Sequence, residues 1–153
     1  MNKTLSLVLW IMIIQLVGAG LGLLTNISAT GWYQALSRSS LTPPDAVFGI
    51  VWPLLYVLIA ISGWWLWQQP KPYRIEKKLF VAQLILNWLW TPLFFYLHLP
   101  GLAFFELLLL TVLTLILIIR LNFKLLLASI LLIPYFLWIF FAVYLNYFIW
   151  MNN

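Results

Sequence analysis

The sequence predicts an all-α integral membrane protein, a single five-transmembrane-helix bundle, and three observations carry that prediction. Of 153 residues, 65% are hydrophobic and only 7% are charged, against roughly 25% charged in a soluble domain. Five apolar stretches are each long enough to cross a bilayer. They run continuously apolar, without the alternation of a membrane β-barrel strand, and lipid offers backbone groups no partner outside a helix.

The first span, Leu5 to Leu24, follows Lys3 as a signal peptide would, but it lacks a clear A-x-A cleavage site and reads as a retained helix. Its Gly18 and Gly22 form a G-x-x-x-G, which permits close helix contact within the bundle or between subunits. Thr25 to Asp45 is the one long connection, and Trp32, Tyr33 and Leu36 give it the pattern of a short interfacial helix. Pro43-Pro44 stiffens the return of this loop, which makes it a candidate lid, and Asp45 suits the N-cap of the next helix.

The second span is Ala46 to Trp67 and the third Leu79 to Leu97, joined by Gln68 to Lys78. A minimal link, His98 to Gly101, leads to the fourth span, Leu102 to Ile119, and Arg120 to Lys124 leads to the fifth, Leu125 to Trp150. Such short links force antiparallel neighbours. Pro53, Pro92 and Pro134 fall inside spans and should kink them, opening space a ligand can fill. Trp10, Trp64, Trp65, Trp67 and Trp150 lie near span ends and suit an interfacial belt. No internal repeat of the kind that marks many secondary transporters emerges.

Charge orients the bundle. Lys3, Lys71, Arg74, Lys77, Lys78, Arg120 and Lys124 fall on one side and Arg38 alone on the other, which predicts a cytoplasmic N-terminus and an outward C-terminus. With that bias and no organellar extension, a bacterial inner (plasma) membrane is expected. The net charge of +5 is scattered over loops without stacking rings among it, so nucleic acid is not expected as a partner. There is no cysteine, hence no disulfide or thiolate chemistry, and the single His98 cannot build a zinc site.

Polar and aromatic residues converge on a few helix faces. Gln83, Asn87, Trp90 and Phe94 are spaced by four, three and four and share one face of the third span. The fifth span offers Tyr135, Trp138, Ala142, Leu145 and Asn146, and the second Phe48, Trp52 and Tyr56. At about 1.5 Å rise per residue, Trp52, Trp90 and Ala142 lie roughly 9 to 12 Å below the outer end, and Asn87 and Trp138 about 15 to 18 Å. Rings with a few hydrogen-bonding groups at one depth suit a flat apolar ligand; they equally suit core packing with two amides cross-linking helices. Glu106 is costly within a span, but it lies only about five residues from the outer end. Partial solvation and structural hydrogen bonding account for it more simply than proton-linked function.

Four stretches together resemble the translocator protein family, also called tryptophan-rich sensory proteins. They are W-Y-Q-A-L-S-R-S-S-L-T-P-P from Trp32 to Pro44, F-G-I-V-W from Phe48 to Trp52, Q-L-I-L-N-W-L-W-T-P-L-F-F from Gln83 to Phe95, and P-Y-F-L-W through A-V-Y-L-N-Y from Pro134 to Tyr147. The resemblance implies a five-helix fold, commonly a homodimer, that binds tetrapyrroles, sterols and aromatic drugs beneath the first loop. It implies a ligand site of Tyr33, Phe48, Trp52, Asn87, Trp90, Trp138, Ala142 and Leu145, to which the helical face above adds Phe94. This chain departs from the family in lacking K-P-x-W before T-P-P, and Met151 stands where a steroid-handling member carries a basic residue. Sterol binding is therefore not supported.

The function expected is a membrane receptor or sensor for a porphyrin-like tetrapyrrole, with no required cofactor, metal site or acid/base catalytic group. The alternatives are a transporter of such ligands and light-dependent porphyrin breakdown, for which Trp52 and Trp138 are the candidate residues.

Overall fold

The computed structural model describes residues 2–29 and 31–153, so Thr30 of the expected loop lies outside the described residues. The described chain is helical throughout, without strands. Helix α1 covers Lys3–Ala29, α2 Trp32–Ala35, α3 Asp45–Trp67 and α4 Arg74–Thr91, which runs into a π-helical turn at Pro92–Tyr96; α5 covers Pro100–Asn122 and α6 Leu126–Asn152. Five helices, counting α4 with its π turn as one, are long and apolar enough to cross a membrane. Several outrun the expected spans: α1 continues to Ala29, and α4 begins at Arg74 rather than Leu79. At the start of α4, Arg74, Glu76, Lys77 and Lys78 are good helix formers that extend the helix beyond its apolar length.

The helices close into a ring in the order α1, α3, α6, α5, α4, with the π turn returning to α1. Buried Leu55, Ile59, Leu66, Phe80, Leu110, Leu117, Leu132 and Ile139 fill its centre. Hydroxyls tie neighbouring helices: Ser62 Oγ donates to the Ala128 carbonyl at 2.8 Å and Ser129 Oγ to the Ile118 carbonyl at 3.0 Å. Gln15 Nε2 donates to the Pro53 carbonyl at 2.7 Å, fixing α1 to α3. Gly18 leaves room for the Tyr56 ring, which a Cβ there would strike, while a Cβ at Gly22 would meet nothing within 4 Å. Close contact is thus made by one glycine of the G-x-x-x-G, against a ring.

At one end of the bundle a buried carboxylate clamps α4 to α5. Glu76 is 3% exposed; its Oε1 accepts from Lys124 Nζ at 2.6 Å and from Arg120 Nε at 3.1 Å, with Arg120 Nη2 at 3.0 Å. Nearby, Trp10 and Trp67 lie 5.1 Å apart and both pack on Phe80. These two indoles therefore do more than anchor an interface, because the helices converge there and the rings close the gap.

At the other end Pro92, which has no N–H, coincides with the change from α to π winding. The Leu97 N–H reaches back to the Pro92 carbonyl at 2.9 Å. The widened turn carries Phe94 and Phe95, and His98, at φ 55°, reverses the chain into α5. Asp45 does not cap α3: Pro44 holds the N-cap position, and Asp45 is the first helical residue, 3.9 Å from Arg38. An acid still favours the positive helix end from there.

Candidate functional site

A cavity of about 480 Å³ opens in the lid end of the bundle, within the size range of small-molecule sites. Its walls are Phe48, Trp52 and Tyr56 from α3, Trp90 from α4, Phe94 and Phe95 from the π turn, Trp138, Ala142, Leu145 and Asn146 from α6, and Tyr33 from α2. The sequence-derived residues Tyr33, Phe48, Trp52, Trp90, Phe94, Trp138, Ala142 and Leu145 are thus brought together around one space. Asn87 is not among them. It is 3% exposed behind the wall and accepts a hydrogen bond from the lining Tyr56 hydroxyl at 3.2 Å. The helical face is as expected, but the larger Tyr56 ring stands between the amide and the cavity.

The rings form ordered surfaces. Trp90 and Phe94 stack at 5.2 Å and 20°, Phe48 meets Trp138 edge-on at 5.7 Å, and Trp52 lies 5.5 Å from Tyr56. Trp90 Nε1 donates to Asn146 Oδ1 at 3.0 Å, and Asn146 Nδ2 donates to the Pro100 carbonyl at 2.7 Å, so a bridge from α4 through α6 to α5 holds the stacked wall.

The first loop covers this end. Trp32 stacks on His98 at 4.1 Å and meets Phe94 edge-on at 5.6 Å, while Tyr33 packs against Phe94 and Phe95. The Ser37 N–H donates to Asn153 Oδ1 at 2.9 Å, Asn153 Nδ2 donates back to the Ser37 carbonyl at 3.2 Å, and Ser39 Oγ lies 3.0 Å from the Tyr144 hydroxyl. These contacts fasten the loop to α6. The Arg38 guanidinium sits 5.0 Å over the Tyr33 ring. Burial pushes the Tyr33 phenol above its ordinary value, partly offset by Arg38, so the phenol remains a neutral donor beside the cavity.

Sequence reasoning missed one wall. Gln15, Gly18, Ala19, Leu21, Gly22 and Thr25 of α1 also line the cavity. The run Gly18-Ala19-Gly20-Leu21-Gly22 was the available signal, since small side chains leave volume where others fill it. It missed Glu76 as well. Glu106 departs from expectation too: it is 9% exposed, and neither carboxylate oxygen has a hydrogen-bond partner among the described residues. Among the described residues no group of three His, Cys, Asp or Glu could hold a metal ion.

Comparison with known proteins covers nearly the whole chain. Residues 10–151 match the TspO/MBR family. The tryptophan-rich protein TspO of Archaeoglobus fulgidus is 35% identical over 153 residues, 97% of each chain. The translocator protein of Homo sapiens is 32% identical over 126 residues, 80% of this chain and 75% of its own. Protein CrtK of Rhodobacter capsulatus is 32% identical over 136 residues, 82% of this chain and 81% of its own. With its five apolar helices, its tryptophan-rich faces and a match across almost its full length, this chain belongs to the TspO/MBR family of membrane proteins.

Proposed function

We propose that the protein is a membrane receptor or sensor that holds a flat aromatic ligand, of the porphyrin-like tetrapyrrole class, in the lid-end cavity. The observation that carries this reading is the ring-walled space of about 480 Å³, with stacked Trp90 and Phe94 in one wall and Trp52 and Trp138 in others. Ring faces supply affinity through burial and stacking, while the phenols of Tyr33 and Tyr56 and the amides of Gln15 and Asn146 supply direction. The Lys/Arg bias supports a cytoplasmic N-terminus in a bacterial inner membrane, with the cavity mouth outward. A homodimer is part of the proposal, by family likeness. Titrating purified protein with protoporphyrin and following tryptophan quenching tests the reading: saturable quenching supports it, and a linear, non-saturating decline overturns it.

A second reading is transport of the same ligand, favoured by the name translocator protein that several relatives carry and by a cavity under a loop. Uptake of protoporphyrin into proteoliposomes distinguishes transport from binding alone. Trp52 and Trp138, both in the wall, also suit light-dependent breakdown of a bound porphyrin, which loss of the Soret band under illumination would report.

A further inference from the structure

The chain has three acidic side chains, and their surroundings differ sharply. Asp45 is exposed at the loop and faces Arg38. Glu76 is buried between two cations. Glu106 is buried with neither a cation nor a hydrogen-bond donor on its oxygens among the described residues.

Helix register fixes its level. Glu76 meets Arg120 across α4 and α5, and Glu106 lies 14 residues along α5 from Arg120, so in an antiparallel pair it stands level with Trp90. On the α6 side, the Asn146–Pro100 and Ser129–Ile118 hydrogen bonds put it level with Phe140 and Phe141. Both levels lie within the apolar spans, Trp90 and Glu106 each about 9 Å from the lid end of its own.

Few titratable groups surround it. On α4 the titratable side chains end at Lys78, about three turns from the level of Trp90, and none follows before the π turn; the π turn brings Tyr96, and His98 follows it, stacked on Trp32. From α6 come Tyr135, fully buried about one and a half turns deeper, Tyr144, held by Ser39, and Tyr147, packed on Phe104. No lysine or arginine stands among them, and His98 is engaged at the lid end against Trp32. An unpaired buried charge is among the costliest groups a protein can hold, far costlier than the same carboxyl carrying a proton.

We propose that Glu106 is a proton-binding site: its carboxylate takes one proton from the aqueous phase, forming one O–H bond with no other bond changed, and it is neutral in this conformation. Glu106 does not line the cavity, whereas Trp90, at the same level, does; water reaching the carboxylate past Trp90 links proton occupancy to cavity occupancy. That linkage rests on the ligand reading above; the proton site does not.

Infrared spectroscopy of the protein in lipid tests the site, because only three side-chain carboxyls and the chain's α-carboxyl can contribute. A carbonyl stretch of a protonated carboxylic acid is expected at neutral pH in the wild type and in E76Q, absent in E106Q, and shifted but present in E106D. No such band at neutral pH, or one that survives in E106Q, overturns the proposal. For the linkage, protoporphyrin affinity should fall with rising pH by at most about tenfold per unit, the limit for one linked proton. The E106Q slope, measured on protein of unchanged thermal stability, should be flatter by up to that one proton, and E106D should restore it. Equal slopes in wild type and E106Q overturn the linkage. If the wild type binds no protoporphyrin, the ligand reading fails while the infrared result still decides the proton site.

Discussion

Trp138 contributes an indole face to the cavity and an edge contact to Phe48, and both interactions are available in reduced form to a phenyl ring. Trp138→Phe should therefore leave thermal stability nearly unchanged while weakening protoporphyrin binding. A loss of about 0.5–1.5 kcal/mol, or roughly 2- to 12-fold in Kd, follows from the usual worth of an aromatic contact. Wild-type affinity in a stable variant would remove Trp138 from the site. Glu76 is the opposite case, a residue whose work is structural. Replacing it with Gln keeps an acceptor oxygen but removes the negative charge that Arg120 and Lys124 share, and breaking a buried ion pair costs about 3–5 kcal/mol when both partners are buried. Here the cations are 36% and 41% exposed and keep water. The expected loss is about 1–3 kcal/mol in thermal unfolding, with protoporphyrin affinity unaffected. Glu76 escaped sequence reading because it lies among Arg74, Lys77 and Lys78, where a single acid reads as part of a solvated charged stretch.

The loop from Thr25 to Asp45 shows how far sequence carries at the element scale. Its short helix at Trp32–Ala35 lies where two rings faced one way, and Leu36 falls just beyond, as the C-cap in extended conformation. What the pattern could not show was the fastening, because Ser37 and Asn153 are 116 residues apart and pair only through the folded ring of helices. The same holds for the α1 wall: a helix apolar on every side offers no periodicity to mark the inner face, whereas the alternation of amides and rings marks it on α4 and α6. Pro43 and Pro44 hold the loop's return into α3, with Pro44 at φ −55°. Replacing both with glycine enlarges the conformational freedom the unliganded loop must lose on binding. We expect affinity to fall by about 1–2 kcal/mol, or roughly 5- to 30-fold, with α3 still inserted. Unchanged affinity in an intact fold would show that the loop is only a connection.

For the whole molecule, the five-helix bundle was legible because bilayer thickness and backbone hydrogen bonding leave few alternatives to an apolar chain of this composition. The orientation proposed from the charge bias is open to direct test. Ser39 is 6% exposed and bonded to Tyr144, so the exposed Ser40 is the better reporter of the loop, with Ile75, 55% exposed, for the opposite end. A cysteine at Ser40 should react with a membrane-impermeant thiol reagent on intact cells, and one at Ile75 should not, in a chain with no cysteine of its own. The reverse pattern would put the cavity mouth on the cytoplasmic side. The central claim, that the cavity is the ligand site, is tested most directly by filling it from the wall that carries no ring. Gly22 lines the cavity and a Cβ there meets nothing within 4 Å, whereas Gly20, whose Cβ is equally unobstructed, lies outside the lining. Protoporphyrin titrations of Gly22→Phe and Gly20→Phe, each with a thermal unfolding curve, should show Gly22→Phe binding at least about tenfold more weakly than wild type and Gly20→Phe binding as wild type, both stably folded. Wild-type affinity in a folded Gly22→Phe protein would place the ligand elsewhere and contradict the account.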